Sequence, residues 1–128
     1  MMIPLLLTAV LCQSPVPLSP VESAMVAAVN QERALHGMHP LRVDRRLMDS
    51  ARQHALWMAA MKVNMHSRHP ANVAENIGWG YSDVASVMDA WMASPPHRAN
   101  VLERLAFVVG VGQYGDKWVQ QFGYGGPF

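Results

Sequence analysis

W-M-A-S-P-P-H-R-A-N-V-L, residues 91 to 102, is the stretch on which the reading of this chain turns. Val84, Val87, Met88, Trp91 and Met92 recur at the spacing of one helical face, and Ser82 or Asp83 stands where such a helix is capped. Pro95 steers Ser94 out of helical angles and Pro96 does the same to Pro95, so the helix stops at Ser94 and the backbone turns before His97. His97 and Arg98 are thereby expected on a stiff turn just past a helix end, where an imidazole is able to bind a metal or move a proton.

Working towards the N-terminus, Ser19, Pro20 and Glu22 supply an N-cap, a first-position proline and a third-position glutamate for a helix over about residues 20 to 36. Val21, Met25, Ala28 and Val29 form its apolar face, and Gly37 supplies the stop. Asp44 caps a second helix reaching about Lys62, with Leu47, Ala51, His54, Ala55 and Met58 on one face. Val73 to Ile77 reads as a short strand ending at Gly78, and the third helix covers about residues 83 to 94. Phe107 to Gln113 and Lys117 to Phe122 are β-branched and aromatic runs on either side of Gly115 and Asp116, the pattern of a tight hairpin. Helices first and a hairpin last predict an α+β fold with antiparallel pairing rather than alternating βαβ units.

The chain has 128 residues, 51% of them hydrophobic, which suits one core, assigned to residues 20 to 128. Its net charge is +1, and the one dense basic cluster, Arg42, Arg45 and Arg46, lies beside Asp44 and Asp49, so the footprint of a nucleic-acid binder is missing. The first twelve residues, M-M-I-P-L-L-L-T-A-V-L-C, are apolar but fall short of the roughly twenty needed for a transmembrane span. They read as a secretory leader, and the polar, proline-rich residues 13 to 19 as a linker. Acylation of Cys12 would make a membrane anchor instead, but Leu11 stands where a small residue is expected. Cys12 is the one cysteine, so a chain cut after it contains no disulfide and its stability rests on the core.

The stretch from Trp91 to Leu102 resembles the signature of the bacterial-type branch of the CAP superfamily, the cysteine-rich secretory, antigen 5 and pathogenesis-related proteins. The likeness continues in order through Asn30, Arg33, His36, Gly37, Pro40 and Leu41, then Ala74 to Ile77, Val109 to Gly112 and Trp118 to Gly123. It implies a three-layer α-β-α sandwich with a small antiparallel sheet between helices. It also implies secretion and a role in binding lipid, sterol or a cell-wall or other cell-surface ligand. Eukaryotic members are usually disulfide-rich, so a mature chain without cysteine favours the bacterial branch.

Six histidines are present. On the residues alone, His54 reads as a core histidine bonded to backbone, His36 and His39 as capping or solvent-facing groups, and His69 as a loop residue. His66 and His97 match the family's two site histidines, and Glu75 its A-E-N-I glutamate. Two imidazoles and a carboxylate suit zinc with positions left for water or substrate. Ser94 stands where the family's second glutamate would be, and a hydroxyl without charge weakens the case for a metal. The resemblance thus implies a cleft built from His66, Glu75, Ser94 and His97.

Its expected work is binding rather than turnover. The alternative is a zinc-dependent hydrolase with His66 and His97 as ligands and Glu75 as base. A Ser94, His97 and Glu75 hydrolase is a further reading, although no G-x-S-x-G elbow is present and the two prolines remove backbone donors. If the histidines hold a metal, their protonation near pH 6.5 releases it. Among the other polar groups, Arg98 is expected to pair with Asp89 or Glu103, and Asn100 to satisfy backbone where a short helical turn begins at Val101. Asn76 is expected to tie a loop to the strand. Most of the ten methionines are expected in the core, with a methionine-lined crevice as the exception. The oligomeric state is left open.

Overall fold

Ser19 and Glu22 cap the first helix reciprocally: the Glu22 N–H donates to Ser19 Oγ at 3.1 Å, and the Ser19 N–H donates to the Glu22 carboxylate at 2.8 Å. In the computed structural model, which describes residues 15 to 68 and 73 to 124, this is α1, Pro20–Leu35. The residues read as a leader, Cys12 among them, and His69 lie outside the described residues. Val16 and Leu18, from the segment read as a linker, pack against the core, and the Pro17 carbonyl accepts from Arg52 at 2.7 Å. The stop at Gly37 is made with φ of +72°, and the Met38 N–H returns to the Arg33 carbonyl at 2.8 Å.

The order then runs β1 (Arg42–Val43), α2 (Arg45–Met61), β2 (Val73–Trp79), α3 (Val84–Ala93), α4 (Pro95–Val101), β3 (Ala106–Tyr114) and β4 (Lys117–Tyr124). The strands form one sheet in the order β1-β3-β4-β2. β4 pairs antiparallel with both neighbours, and Gly115, at φ +58°, opens the two-residue hairpin turn between Tyr114 and Lys117. β1 was not expected. It runs parallel to β3 for only Arg42 and Val43, too short a piece for any periodicity to show. One register shift, between Ala106 and Val108, sets Phe107 outside the regular ladder, and its ring stacks on His39 at 4.6 Å.

Alternation along the strands assigns the two faces. Val109, Val111, Trp118 and Phe122 join Met25 and Val29 of α1 and Val87, Met88 and Trp91 of α3 in the larger core cluster. Ile77 and Val119 join Ala51, Ala55 and Met58 of α2 in the smaller one. The sheet is therefore held between α2 on one side and α1, α3 and α4 on the other, the three-layer sandwich expected. Met25, Met48, Met58 and Met88 are in the core as expected, but Met61 and Met65 are exposed.

The two prolines have a different consequence from the one read in the sequence. Ser94 is extended, at φ −104° and ψ 116°, but Pro95 and Pro96 then take the first two positions of α4. Helix N-termini leave their first N–H groups without intrahelical partners, so prolines lose nothing there. His97 accordingly sits in the first turn of a short helix, not on an irregular turn, and Val101 ends that helix rather than beginning one. The end of α4 is held by the fully buried Arg33, whose Nη1 donates to the Val101 and Glu103 carbonyls at 2.9 and 2.8 Å. Among the described residues Arg98 pairs with no carboxylate; its Nη2 meets His36 Nε2 at 3.0 Å.

Gly110 and Gly112 set the distance between α2 and the sheet. A Cβ on Gly110 would lie 2.1 Å from the Leu47 carbonyl carbon, and one on Gly112 would lie 2.3 Å from the Ala51 carbonyl oxygen. Both obstacles are helix backbone, so no side chain can swing away. We expect Gly110→Ala to cost more than about 3 kcal/mol of unfolding free energy in urea denaturation, because a helix must move. Gly115→Ala, where the added Cβ meets nothing and only the left-handed backbone is strained, should cost about 1–2 kcal/mol.

Candidate functional site

β2 is an edge of the sheet, and the helical layers on both faces overhang it. A cleft of about 530 Å³ lies along this edge. One wall is the loop after α2, with Asn64, Met65 and His66; the floor is Ile77, Gly78 and Trp79; the other wall is Trp91 of α3, Ser94 at the junction of α3 and α4, and His97 of α4. Gly78 is small for a reason, since a Cβ there would come within 2.9 Å of the Val87 side chain and 3.4 Å of the Trp91 ring. The Trp91 indole N–H donates to the Ile77 carbonyl at 3.0 Å and fixes α3 over the strand.

Glu75 lies on the α2 face of β2, directly opposite Gln121 in the register with β4. Its carboxylate is nearly buried, with 6% of the side chain exposed. Oε1 accepts from the Ser67 N–H at 2.9 Å and from His66 Nδ1 at 2.8 Å; Oε2 accepts from the Ser67 hydroxyl and from Gln121 Nε2 at 2.8 Å. Burial pushes the carboxyl pKa up, but the bonds from Ser67, Gln121 and His66 outweigh it and hold the group below its ordinary value. Because a carboxylate only accepts, His66 carries a proton on Nδ1, and Nε2 is the ring nitrogen that Glu75 does not engage.

His97 is fixed in a parallel way: Nδ1 meets Ser94 Oγ at 2.7 Å. Burial, and then the neighbouring His66, lower its pKa below 6.5, so the ring is neutral at pH 7. The backbone of α4 is tied to the strand by amides. Asn76, fully buried, donates from Nδ2 to the His97 carbonyl at 3.1 Å and to Gln120 Oε1 at 3.3 Å. Asn100 donates to Asn76 Oδ1 at 2.9 Å and to the Glu75 carbonyl at 3.3 Å. Asn76 thus ties its strand to α4 and β4 rather than to a loop, and Asn100 joins α4 to the same strand.

The structure brings His66, Ser94 and His97 to one cleft and sets Glu75 behind His66. Glu75 supports His66 and not His97, so Ser94, His97 and Glu75 do not form a relay. Among the described residues no three histidine, cysteine, aspartate or glutamate side chains are grouped to hold a metal ion. The donor set facing the cleft is two imidazoles, which falls short of the three protein ligands usual at a catalytic zinc centre. His54 is a buried histidine, as read, with Nε2 bonded to the Met65 carbonyl at 2.7 Å. The roles of Ser67 and Gln121 were not legible, since one depends on loop closure and the other on strand register. Trp79 and Tyr81 carried one signal, an aromatic pair around Gly80 at the end of the strand.

Glu75→Gln should destabilise the fold by about 1–3 kcal/mol, because the new amide faces the Gln121 donor and leaves buried groups mismatched. His97 and Glu75 both have folded pKa values below their ordinary ones, so each favours the folded state above its ordinary value and loses that effect as pH falls through the folded value. Stability should decline on acidification from pH 6.5 through His97 and again from 4.5 through Glu75. Side-chain NMR titration of His97 should give a midpoint below 6.5 that rises when His66 is replaced by alanine.

Comparison with known proteins bears on the family and the fold. The family model for the cysteine-rich secretory protein (CAP) family matches residues 26–122. The uncharacterised protein YkwD of Bacillus subtilis is 30% identical over 129 aligned positions, covering 85% of this chain and 49% of that protein. The chain spans about half the length of this curated relative. Among solved structures, an extracellular SCP-domain protein from Bacillus anthracis superposes with a TM-score of 0.72 at 24% identity, over 86% of this chain and 45% of that one. An outer surface protein of Borrelia burgdorferi gives 0.76 at 15% identity, over 88% of this chain and 98% of that one. Both likenesses concern the fold. No helix among the described residues is long and apolar enough to cross a membrane. A family model covering most of the chain, a relative in Bacillus and the shared sandwich lead to one conclusion: this chain belongs to the CAP, or cysteine-rich secretory protein, family.

Proposed function

We propose that this chain is a secreted binding domain that takes a cell-surface component, a lipid, sterol or wall ligand, in the cleft between His66 and His97. The observation that carries this reading is the way both imidazoles are fixed from behind. Glu75 holds one at Nδ1 and Ser94 the other, so each presents Nε2 as its remaining polar ring atom. Beside them Met65 and Trp79 are about half exposed, at 53% and 49%. A ligand with an apolar face and a few oxygens meets both kinds of contact, the usual composition of a small-molecule site. Secretion is supported by the leader expected at the start of the chain and by the extracellular and outer-surface descriptions of the two structural neighbours.

Binding is favoured over turnover by what surrounds the candidate base. Glu75 is engaged by His66, Ser67 and Gln121, and its lowered pKa makes it a poor proton acceptor. Ser94 has His97 beside it but no carboxylate behind that histidine. A divalent ion such as zinc would be held by His66 and His97, with Glu75 setting the tautomer of His66 from behind the ring.

Two measurements check this reading. Titration of the folded protein with fluorescent sterol, lipid vesicles and soluble wall fragments should give saturable binding to one of them. Combined His66→Ala and His97→Ala should weaken that binding at least about tenfold, or 1.4 kcal/mol; no saturable binding to any of them would refute the proposal. Any zinc affinity found by calorimetric titration should be lost between pH 7.5 and 5.5 and lowered about 10- to 100-fold by Glu75→Gln.

A further inference from the structure

Three concavities on this surface are joined by shared walls. The cleft shares Met65 and His66 with a second trough of about 380 Å³, and that trough shares His54, Trp57, Ser67 and Arg68 with a third of about 400 Å³. His66 is therefore a ridge between two depressions and not the end wall of one. On the far side, Trp57 is 42% exposed, and its indole stacks on His54 with 5.6 Å between ring centres and 19° between planes. His54 is in turn pinned to the Met65 carbonyl. One face of the Trp57 ring is thus occupied within the protein, which orients the ring without covering it.

We propose that the cleft is one end of a continuous groove, running over His66 to Trp57 and Arg68, and that its occupant is a linear glycan. This rests on the reading of the cleft as a binding site and specifies the ligand class. Two indoles, Trp79 and Trp57, stand on either side of the His66 ridge. Between and beyond them the polar groups are short and mostly neutral: Asn64 in the cleft, Ser67 in the second trough, Ser50 and Gln53 at the far end. Sugar rings offer apolar C–H faces to indoles and hydroxyls at their edges to amides, hydroxyls and imidazoles. An acyl chain would gain most from an enclosed apolar tunnel, whereas these troughs are open to solvent along their length and lined by both apolar and polar groups. Arg68 adds a single cation in a chain of net charge +1, too little to draw a polyanion.

The test is a titration of the full chain with N-acetylglucosamine oligomers of two and six units, followed by tryptophan fluorescence and by indole N–H resonances in NMR spectra. The six-unit oligomer should bind at least about tenfold more tightly than the two-unit one, since the groove is already ordered. Trp57→Ala and Arg68→Ala should each reduce six-unit affinity to the two-unit level while leaving two-unit affinity unchanged, and Trp79→Ala should weaken both. Arg68 is exposed, so its replacement reports on the groove even if loss of the Trp57 stack disturbs folding. Equal affinity for the two lengths, or loss of two-unit binding in Arg68→Ala, overturns the extended groove and leaves the cleft standing. Binding of sterol or lipid vesicles with no saccharide binding overturns the glycan alone, and binding of none of these overturns the cleft reading as well.

Discussion

The backbone-to-backbone approach of α2 to β3 is the contact on which the rest of the molecule depends. Gly110 and Gly112 lack the atoms that would otherwise hold Leu47 and Ala51 away from the sheet. This closeness allows the small side chains Ala51 and Ala55 to pack on one face with Met58, Ile77 and Val119. It also decides where the end of α2 emerges, and so where the loop carrying His66 begins. A helix held one side chain further out would leave the loop too high over the strand for Glu75 to reach it. The large aromatic residues are kept for the other face, where Trp91, Trp118 and Phe122 fill the space under α1 and α3.

The candidate site is assembled across the sheet edge from parts that belong to different layers. His66 comes from the α2 side and His97 from the α3–α4 side, and β2 lies between them with alternate residues committed to each. Glu75 points to one layer and steadies His66; Asn76, the next residue, points to the other and holds the backbone of His97. One strand thus registers both histidines through adjacent side chains of opposite orientation. The buried amides continue the link to Gln120 and, through its Nε2, to the Met88 sulfur of α3 at 3.2 Å. Buried polar groups joined in this way are costly to disturb, which gives the pair of imidazoles a defined separation.

Much of this was legible in the sequence because short-range rules apply there. The caps at Ser19, Asp44 and Asp83 and the stop at Gly37 depend on neighbours within a few residues, and each is found. The hairpin at Gly115 is equally local. β1 escaped because two residues carry no pattern, and the sheet edge that it makes depends on the distant partners Val108 and Val109. The two prolines misled in an instructive way. They mark an ended helix, but proline serves a helix start as well as a helix stop, and only the packing of Val101 and the carbonyl bonds from Arg33 show that a new helix follows. The histidine pair was placed by resemblance. That Glu75 acts behind His66 follows from Ser67 and Gln121, which pattern reading had no means of connecting to it.

The loop from Lys62 to Arg68 contains no cysteine, and among the described residues it is fastened by a set of polar contacts. Asn64 accepts from Lys117, Met65 is held through its carbonyl by His54, and Ser67 and His66 both converge on Glu75. Such ties can release together while the glycine-seated helix and the aromatic core stay in place, as happens in local unfolding where few buried apolar contacts hold a segment. The wall of the cleft that carries His66 and the scaffold beneath it are therefore expected to melt separately. A population with an intact sandwich and an open loop would keep its far-ultraviolet spectrum and its compactness while that wall was lost.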